Sequence, residues 1–238
     1  MSGRTLLITG ASSDVGGALI RSAAKDFDTV IAHYRSMNPK LEALKEELDE
    51  KLVLICADFS KEEDITRFIS EIREKGLEPT DIVLLPSPQM GNMKYTKILW
   101  DEFQTGMDIS LRSAFMVTQA FLPAMAKKHS GQVIFMLSVC VMEPTPKYFA
   151  QYTSVKYALL GLMRELAVEY GEKGIKINGV SPSVIRTKFW SNKPEMIAEK
   201  MAETTKLGRM LSPQEVAEKI HLMLCDADAC VNGENVEI

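Results

Sequence analysis

Short apolar runs alternate along this chain with longer stretches of helical period. Strand-like runs occupy 4–9, 29–33, 52–56, 81–85, 132–137, 175–180 and 234–238, and helical periodicity covers 14–25, 40–50, 61–75, 101–129, 150–171 and 212–225. Leu6–Ile8, Val53–Ile55 and Ile82–Leu85 are apolar at every position. A strand of that kind belongs in a parallel sheet covered on both sides, because both of its faces must leave water. The pattern predicts an α/β fold: a doubly wound parallel sheet of about seven strands with helices on both faces. No repeat or linker interrupts it, so residues 1–238 are expected to form a single domain. The least regular stretch is 182–211, which contains Pro182 and Pro194, and its part 187–211 is a candidate substrate lid.

Composition narrows the classes of function. At 46% hydrophobic and 25% charged, 238 residues are enough to bury about three quarters of the unfolded surface. The net charge of −4 and the absence of a dense basic block argue against nucleic acid as a partner, with Lys127 and Lys128 only a small cluster. The opening apolar run is too short for a signal peptide, and no stretch approaches a membrane span, so a cytoplasmic protein is expected. Cys56, Cys140, Cys225 and Cys230 contain no CxxC pair and stand mostly in apolar surroundings. They are expected to be free thiols in or near the core, with neither disulfide nor metal site.

Two local patterns carry chemistry. The first strand-to-helix turn reads Thr9-Gly10-Ala-Ser12-Ser13-Asp14-Val15-Gly16-Gly17. Gly10 follows a buried strand and Gly16 opens a helix, so backbone N–H groups and the positive helix end can meet a pyrophosphate; a tight packing turn is the plainer reading. Farther on, Tyr152 and Lys156 stand one helical turn apart. An ammonium beside a phenol favours phenolate and lowers its pKa, so the pair suits proton exchange with a carbonyl or alcohol oxygen. Either residue alone fits a helix interface or a solvated surface equally well.

Together these residues resemble the short-chain dehydrogenase/reductase family over essentially the whole chain. Thr9-Gly10-x-x-x-Asp14-x-Gly16 resembles the family's TGxxxGxG turn, and Tyr152-x-x-x-Lys156 resembles its catalytic pair. Ser138, ending the run Val133–Leu137, falls where the family keeps its third catalytic residue. Ile175–Thr187, with Pro182, Ile185 and Thr187, resembles the strand and turn that lead to the nicotinamide. The subgroup most similar in appearance is the 3-oxoacyl-[acyl-carrier-protein] reductases. The resemblance implies a Rossmann-type fold and an oxidoreductase that transfers hydride from NADPH to a ketone or 3-oxoacyl thioester. It also implies the roles: Tyr152 donates the proton, Ser138 orients the carbonyl, and Lys156 lowers the Tyr152 pKa and binds ribose hydroxyls. Gly10, Ser12, Ser13, Asp14, Val15 and Gly16 would then line the pyrophosphate.

Cofactor choice rests on the end of the second strand, His33-Tyr34-Arg35-Ser36. An acid there would accept from a ribose 2′-OH and repel a 2′-phosphate. None is present, and Arg35, with the cofactor-binding candidate Tyr34 beside it, matches the position where NADP-preferring relatives often carry a base, so NADP(H) is expected over NAD(H); a plain surface arginine is the other reading. Asp58 and Phe59 resemble the family's residues beside the adenine, although Asp58 could instead cap the helix beginning near Lys61.

Three positions depart from the family pattern. Asp14 replaces the middle glycine of the turn, Leu85-Pro86-Ser87-Pro88 replaces Asn-Asn-Ala-Gly, and Ser110 replaces the asparagine that supports a water relay to the lysine. Pro86 therefore stands where a cofactor contact is expected but brings no N–H. These changes keep a second function open: a cofactor-binding member with weak or no reductase activity and a regulatory or structural role. Val139, Cys140, Met142, Phe149, Phe189 and Trp190 are candidate walls of the substrate pocket. Lys127, Lys128 and Lys173 are either contacts for an acidic carrier or ordinary solvated lysines. By analogy with relatives, the helices at 101–129 and 150–171 would pair copies into a dimer or homotetramer.

Overall fold

The computed structural model describes residues 3–88, 93–142, 145–187, 195–226 and 228–238. Seven strands form one parallel sheet: β1 Thr5–Thr9, β2 Thr29–Tyr34, β3 Leu52–Cys56, β4 Asp81–Leu84, β5 Gly131–Met136, β6 Ile175–Ser181 and β7 Asn235–Glu237. They lie in the order β3-β2-β1-β4-β5-β6-β7, with every neighbouring pair parallel. The order reverses between β1 and β4, so the crossovers leave to opposite sides and open a crevice above the C-terminal strand ends.

Helices cover both faces. Helices α1 Asp14–Ala23, α2 Pro39–Leu48 and α8 Pro213–Cys225 bury Leu19, Ile20, Leu41, Leu44, Val216 and Ile220 on one side. Helices α3 Glu62–Glu74, α5 Ser113–Lys128 and α6 Ala150–Gly171 bury Phe68, Phe121, Leu159 and Met163 on the other. Among the described residues, no helix is long and apolar enough to cross a membrane.

Two expectations need correction. The single helix expected at 101–129 is α4 Trp100–Met107, a π-helical turn at Asp108–Arg112, and then α5. Ser113 donates back to the Ile109 and Ser110 carbonyls within this turn, at 2.6 and 3.3 Å. A π turn inserts a residue without breaking the apolar stripe, so periodicity alone misses it. The stretch 182–211 is also not wholly irregular. It contains helix α7 Glu195–Glu203, whose buried Ala198 and Ala202 pack on Val184. Such small residues make a weak periodic signal. Its base is tied down: Leu211 donates to the Val184 carbonyl and Arg186 to the Leu211 carbonyl, both at 2.8 Å. Among the cysteines, Cys140 and Cys230 are buried and Cys56 and Cys225 are exposed, so only two of the four thiols are in the core.

Candidate active site

The glycine turn closes the C-terminal end of β1. Gly10 has φ +75°, where a side chain is strained, and a Cβ there would stand 3.2 Å from the Pro86 nitrogen. At Gly16 a Cβ would come within 2.6 Å of the Ala11 Cα, so only glycine lets α1 start this close to the strand. Ser13 caps α1 by accepting from the Gly16 N–H at 3.0 Å and donates its own hydroxyl to the Gly10 carbonyl at 2.8 Å. Asp14 sits in the first helical turn, where the dipole favours its charge. Lys40 of α2 reaches it at 2.7 Å. The charge expected to oppose a pyrophosphate is thus partly neutralised by a residue that the sequence did not single out.

Beneath this turn lies His33. It is buried within β2, accepts from the Gly10 N–H through Nδ1 at 3.0 Å, and contacts the Ala57 carbonyl through Nε2 at 3.0 Å. The Gly10 donor requires Nδ1 to be bare, so the proton is on Nε2 and is donated to Ala57. Its ring stacks on Phe59 with centroids 3.6 Å apart and planes within 5°. Phe59 is therefore a core residue, and its ring is not free to meet an adenine. Burial drives the His33 pKa down to about 4.

The catalytic candidates come from three elements. Ser138 ends the β5 segment and accepts from the Cys140 N–H at 3.4 Å as it caps a short helical turn, Val139–Val141. Val139 N–H donates to the Pro182 carbonyl at 3.2 Å, which ties the ends of β5 and β6 together. Tyr152 and Lys156 lie on α6, and Phe149 meets the Tyr152 ring edge to face, with centroids 6.1 Å apart. Just ahead of α6, Tyr148 holds φ +70°, a costly conformation for a non-glycine residue at the entrance to this helix. Lys156 is almost fully buried, so it is not a surface charge. Its ammonium donates to the Met136 carbonyl at 2.7 Å and stands 5.5 Å from the Tyr152 ring centre.

Burial governs the electrostatics of the pair. It pushes Lys156 down to about 8, with Cys140 opposing. It pushes the Tyr152 phenol up; Cys140 adds to this, and the hydrogen bond with Ser138 works against it. The lowered Tyr152 pKa expected from a neighbouring ammonium is thus not the outcome, because desolvation of the phenolate is the larger effect. Tyr152 stays a phenol at neutral pH, which is the proton-donating form. The third element is the π turn, where Ser110 is buried and its hydroxyl has no partner among the described residues.

A cavity of about 800 Å³ joins these parts. Ser12, Ser13, Asp14, Val15, Ser138, Tyr152, Lys156, Pro182, Ile185 and Thr187 line it, as do the expected wall residues Val139, Cys140 and Phe149. Gly10, Gly16 and Pro86 lie behind the lining as its framework. Ser110, Tyr34, Arg35, Asp58 and Phe59 are not among its walls. Arg35 is exposed at the end of β2 near Asp58. Asp58 does not cap the helix. Against the burial that would raise its pKa, hydrogen bonds from the Ser60 N–H and hydroxyl, with Arg35 and Lys61 nearby, hold it below the usual range. Met142 is exposed and does not line the cavity, while Phe189 and Trp190 lie outside the described residues. Sequence reasoning missed Asn38, Lys40, Ser87, Ser183, Met201, Thr204 and Thr205, all of which line the cavity. Met201 lies on α7 and Thr204 and Thr205 directly follow it, within the stretch 187–211. Lys128 is paired with Glu78 at 2.5 Å and Lys173 lies 4.3 Å from the Tyr170 ring centre, so both already have partners within the chain.

Comparison with known proteins agrees with this geometry. Residues 10–238 match the family described as enoyl-(acyl carrier protein) reductase. Human dehydrogenase/reductase SDR family member 4 is 28% identical over 249 residues, covering 100% of this chain and 87% of that protein. The 3-oxoacyl-[acyl-carrier-protein] reductase of Rickettsia felis is 24% identical, covering 100% and 96%. The solved structure of levodione reductase is 26% identical with a TM-score of 0.87, covering 99% of this chain and 95% of that one. With the glycine turn, the crevice at the sheet reversal and the Ser, Tyr, Lys cluster in one cavity, the chain belongs to the short-chain dehydrogenase/reductase family and is an oxidoreductase of the class that binds NAD(P).

Proposed function

We propose that this protein reduces a ketone or 3-oxoacyl thioester with NADPH, using Tyr152 as proton donor. The observation that carries the reading is the meeting of Ser138, Tyr152 and Lys156 on the wall of the cavity that also reaches the glycine turn. The residues fit a dinucleotide. Ser87 and Ser183 line the cavity with buried hydroxyls that have no partner among the described residues, and Gly10 and Gly16 let the backbone stay closely packed where a pyrophosphate would approach.

The bound nicotinamide supplies the hydride. Ser138 and Tyr152, already hydrogen-bonded to one another, present two hydroxyls to a single oxygen, which suits a carbonyl that gains negative charge as it is reduced. Tyr152, kept protonated by burial, gives that oxygen its proton. Lys156 spends one N–H on Met136 and keeps two for ribose hydroxyls, and its charge assists the phenol as the proton leaves. Ser110, buried beside α6 with an unused hydroxyl, is suited to hold a water in the proton path. NADPH is favoured over NADH because β2 ends at Tyr34 and is followed by Arg35, with no acid at that strand end to repel a 2′-phosphate. Trp100, Tyr157 and Val168 are exposed apolar residues on α4 and α6, which supports a dimer or tetramer formed through these helices.

The test is Tyr152→Phe, assayed with NADPH against a panel of ketones and 3-oxoacyl thioesters. Turnover is expected to vanish while NADPH affinity stays within a few-fold of wild type; unchanged turnover would end the proposal. A second reading, cofactor binding with little turnover, draws on Pro86 and Pro88, which supply no N–H beside the nicotinamide crevice. NADPH binding by the wild type without oxidation on any substrate of the panel would favour it.

A further inference from the structure

We infer that His33 is a positioning residue for the dinucleotide: a neutral imidazole that sets cofactor affinity by fixing the glycine turn against the β3–α3 loop, without taking part in hydride or proton transfer. The inference rests on the proposed use of the glycine turn for a nicotinamide dinucleotide.

His33 joins two segments that are far apart in sequence. On one side Nδ1 receives the Gly10 N–H at 3.0 Å, and the His33 carbonyl receives the Ala11 N–H at 2.8 Å. On the other side Nε2 donates to Ala57 at 3.0 Å, directly ahead of Asp58. Phe59 stacks on the ring, and Phe68 of α3 meets it edge-on with centroids 5.3 Å apart. Gly10 holds a left-handed, half-buried conformation, and the imidazole supplies the acceptor that its N–H would otherwise have to find in water. Through Gly10 the imidazole also orients the carbonyl that accepts from Ser13, the residue that caps α1. One side chain thus holds the start of α1, where a pyrophosphate would bind.

The tautomer makes this support conditional on protonation state. A proton added at Nδ1 would face the Gly10 N–H donor to donor, and the bond must break. Among the described groups packed against the ring, Gly10, Ala57, Phe59 and Phe68 carry no charge, and Asp58 is the charged group that faces it. Burial outweighs the Ala57 hydrogen bond and Asp58, both of which favour the imidazolium, so the ring stays neutral down to about pH 4.

The experiment compares wild type with His33→Phe, which keeps the stack on Phe59 but loses both hydrogen bonds, and His33→Asn, which keeps a donor and an acceptor on a shorter side chain. Binding of NADP+ and NAD+ is measured by calorimetry from pH 7.5 to 3.5, with folding followed by circular dichroism in the same buffers, and kcat and KM are measured with NADPH at pH 7. The expected result is a Kd and KM for the dinucleotide raised about tenfold in His33→Phe, less so in His33→Asn, with kcat at saturation changed less than about twofold. Wild-type affinity should fall several-fold between pH 4.5 and 3.5 while that of His33→Phe does not, and taking the ratio of the two removes the titration of the cofactor's own phosphate. A folded His33→Phe with wild-type affinity, or a loss confined to kcat, overturns the inference. If His33→Phe does not fold, the wild-type profile with NAD+, which has no 2′-phosphate to titrate, decides: affinity that stays flat to pH 3.5 in folded protein overturns it, and a several-fold fall below pH 4.5 supports it. Wild type that binds neither dinucleotide at any pH refutes the proposed function itself, an outcome distinct from a failure confined to His33.

Discussion

Replacing Lys156 with methionine removes the most costly charge in the core. In the folded chain its pKa is about 8 against an ordinary 10.5, and 2.5 pH units correspond to about 3 kcal/mol of charging cost at pH 7. The substitution also leaves the Met136 carbonyl without its donor and the Tyr152 ring without its cation, losses of about 2 kcal/mol together. Lys156→Met should therefore be more stable than wild type at pH 7 by about 1 kcal/mol, a rise in Tm of about 2–4 °C, while turnover is lost. The sign of the pH dependence is sharper than this net value. Between pH 8 and 10.5 the unfolded lysine holds a proton that the folded one has lost, so wild-type stability rises with pH in this window and gains about 3 kcal/mol on the variant. Groups remote from Lys156 cancel in the comparison, and a Cys140→Ala background removes the thiol coupled to it. Urea unfolding of both proteins at pH 7, 8, 9 and 10.5 measures the difference. A variant less stable at pH 7, together with a difference that does not move with pH, would refute the reasoning.

Other expectations follow from single contacts. Gly16→Ala pushes a Cβ within 2.6 Å of Ala11 and should cost about 1–3 kcal/mol in thermal unfolding while sharply weakening NADPH binding. Lys40→Ala breaks an exposed ion pair, so Tm should move by less than about 2 °C. Its KM for NADPH should nonetheless rise a few-fold, and much less in an Asp14→Gly background, where no carboxylate is left to neutralise. Ser110→Ala removes a buried hydroxyl that has no partner among the described residues, so stability should hold or improve by up to about 1 kcal/mol while kcat drops; a stability loss above that would show the hydroxyl to be satisfied after all.

Much of the molecule could be read from local order. Apolar strands alternating with amphipathic helices require a covered parallel sheet, and Thr9–Gly16, Ser138, Tyr152 and Lys156 occur at separations that the crossovers then bring to one end of it. The direction of the Tyr152 pKa was not legible in the same way. Adjacency to a lysine can be seen in a sequence, but the depth of apolar cover, which decides whether either charge is tolerated, depends on which helices close over the site. The π turn at Ser110 and the small-residue face of α7 were hidden because neither disturbs an apolar stripe in a way that a periodic pattern records.

The sequence by itself therefore determined the layers, the turn that requires glycine and the side chains that can move a proton, since these depend on residue type and short-range spacing. Only the tertiary structure decided which groups those side chains meet. It placed Lys40 on Asp14, buried Phe59 on His33 instead of leaving it to a ligand, and passed the Gly10 N–H to an imidazole on another strand. Each pairing joins residues more than twenty positions apart, and none is favourable until the sheet has brought its partners within hydrogen-bond or van der Waals reach.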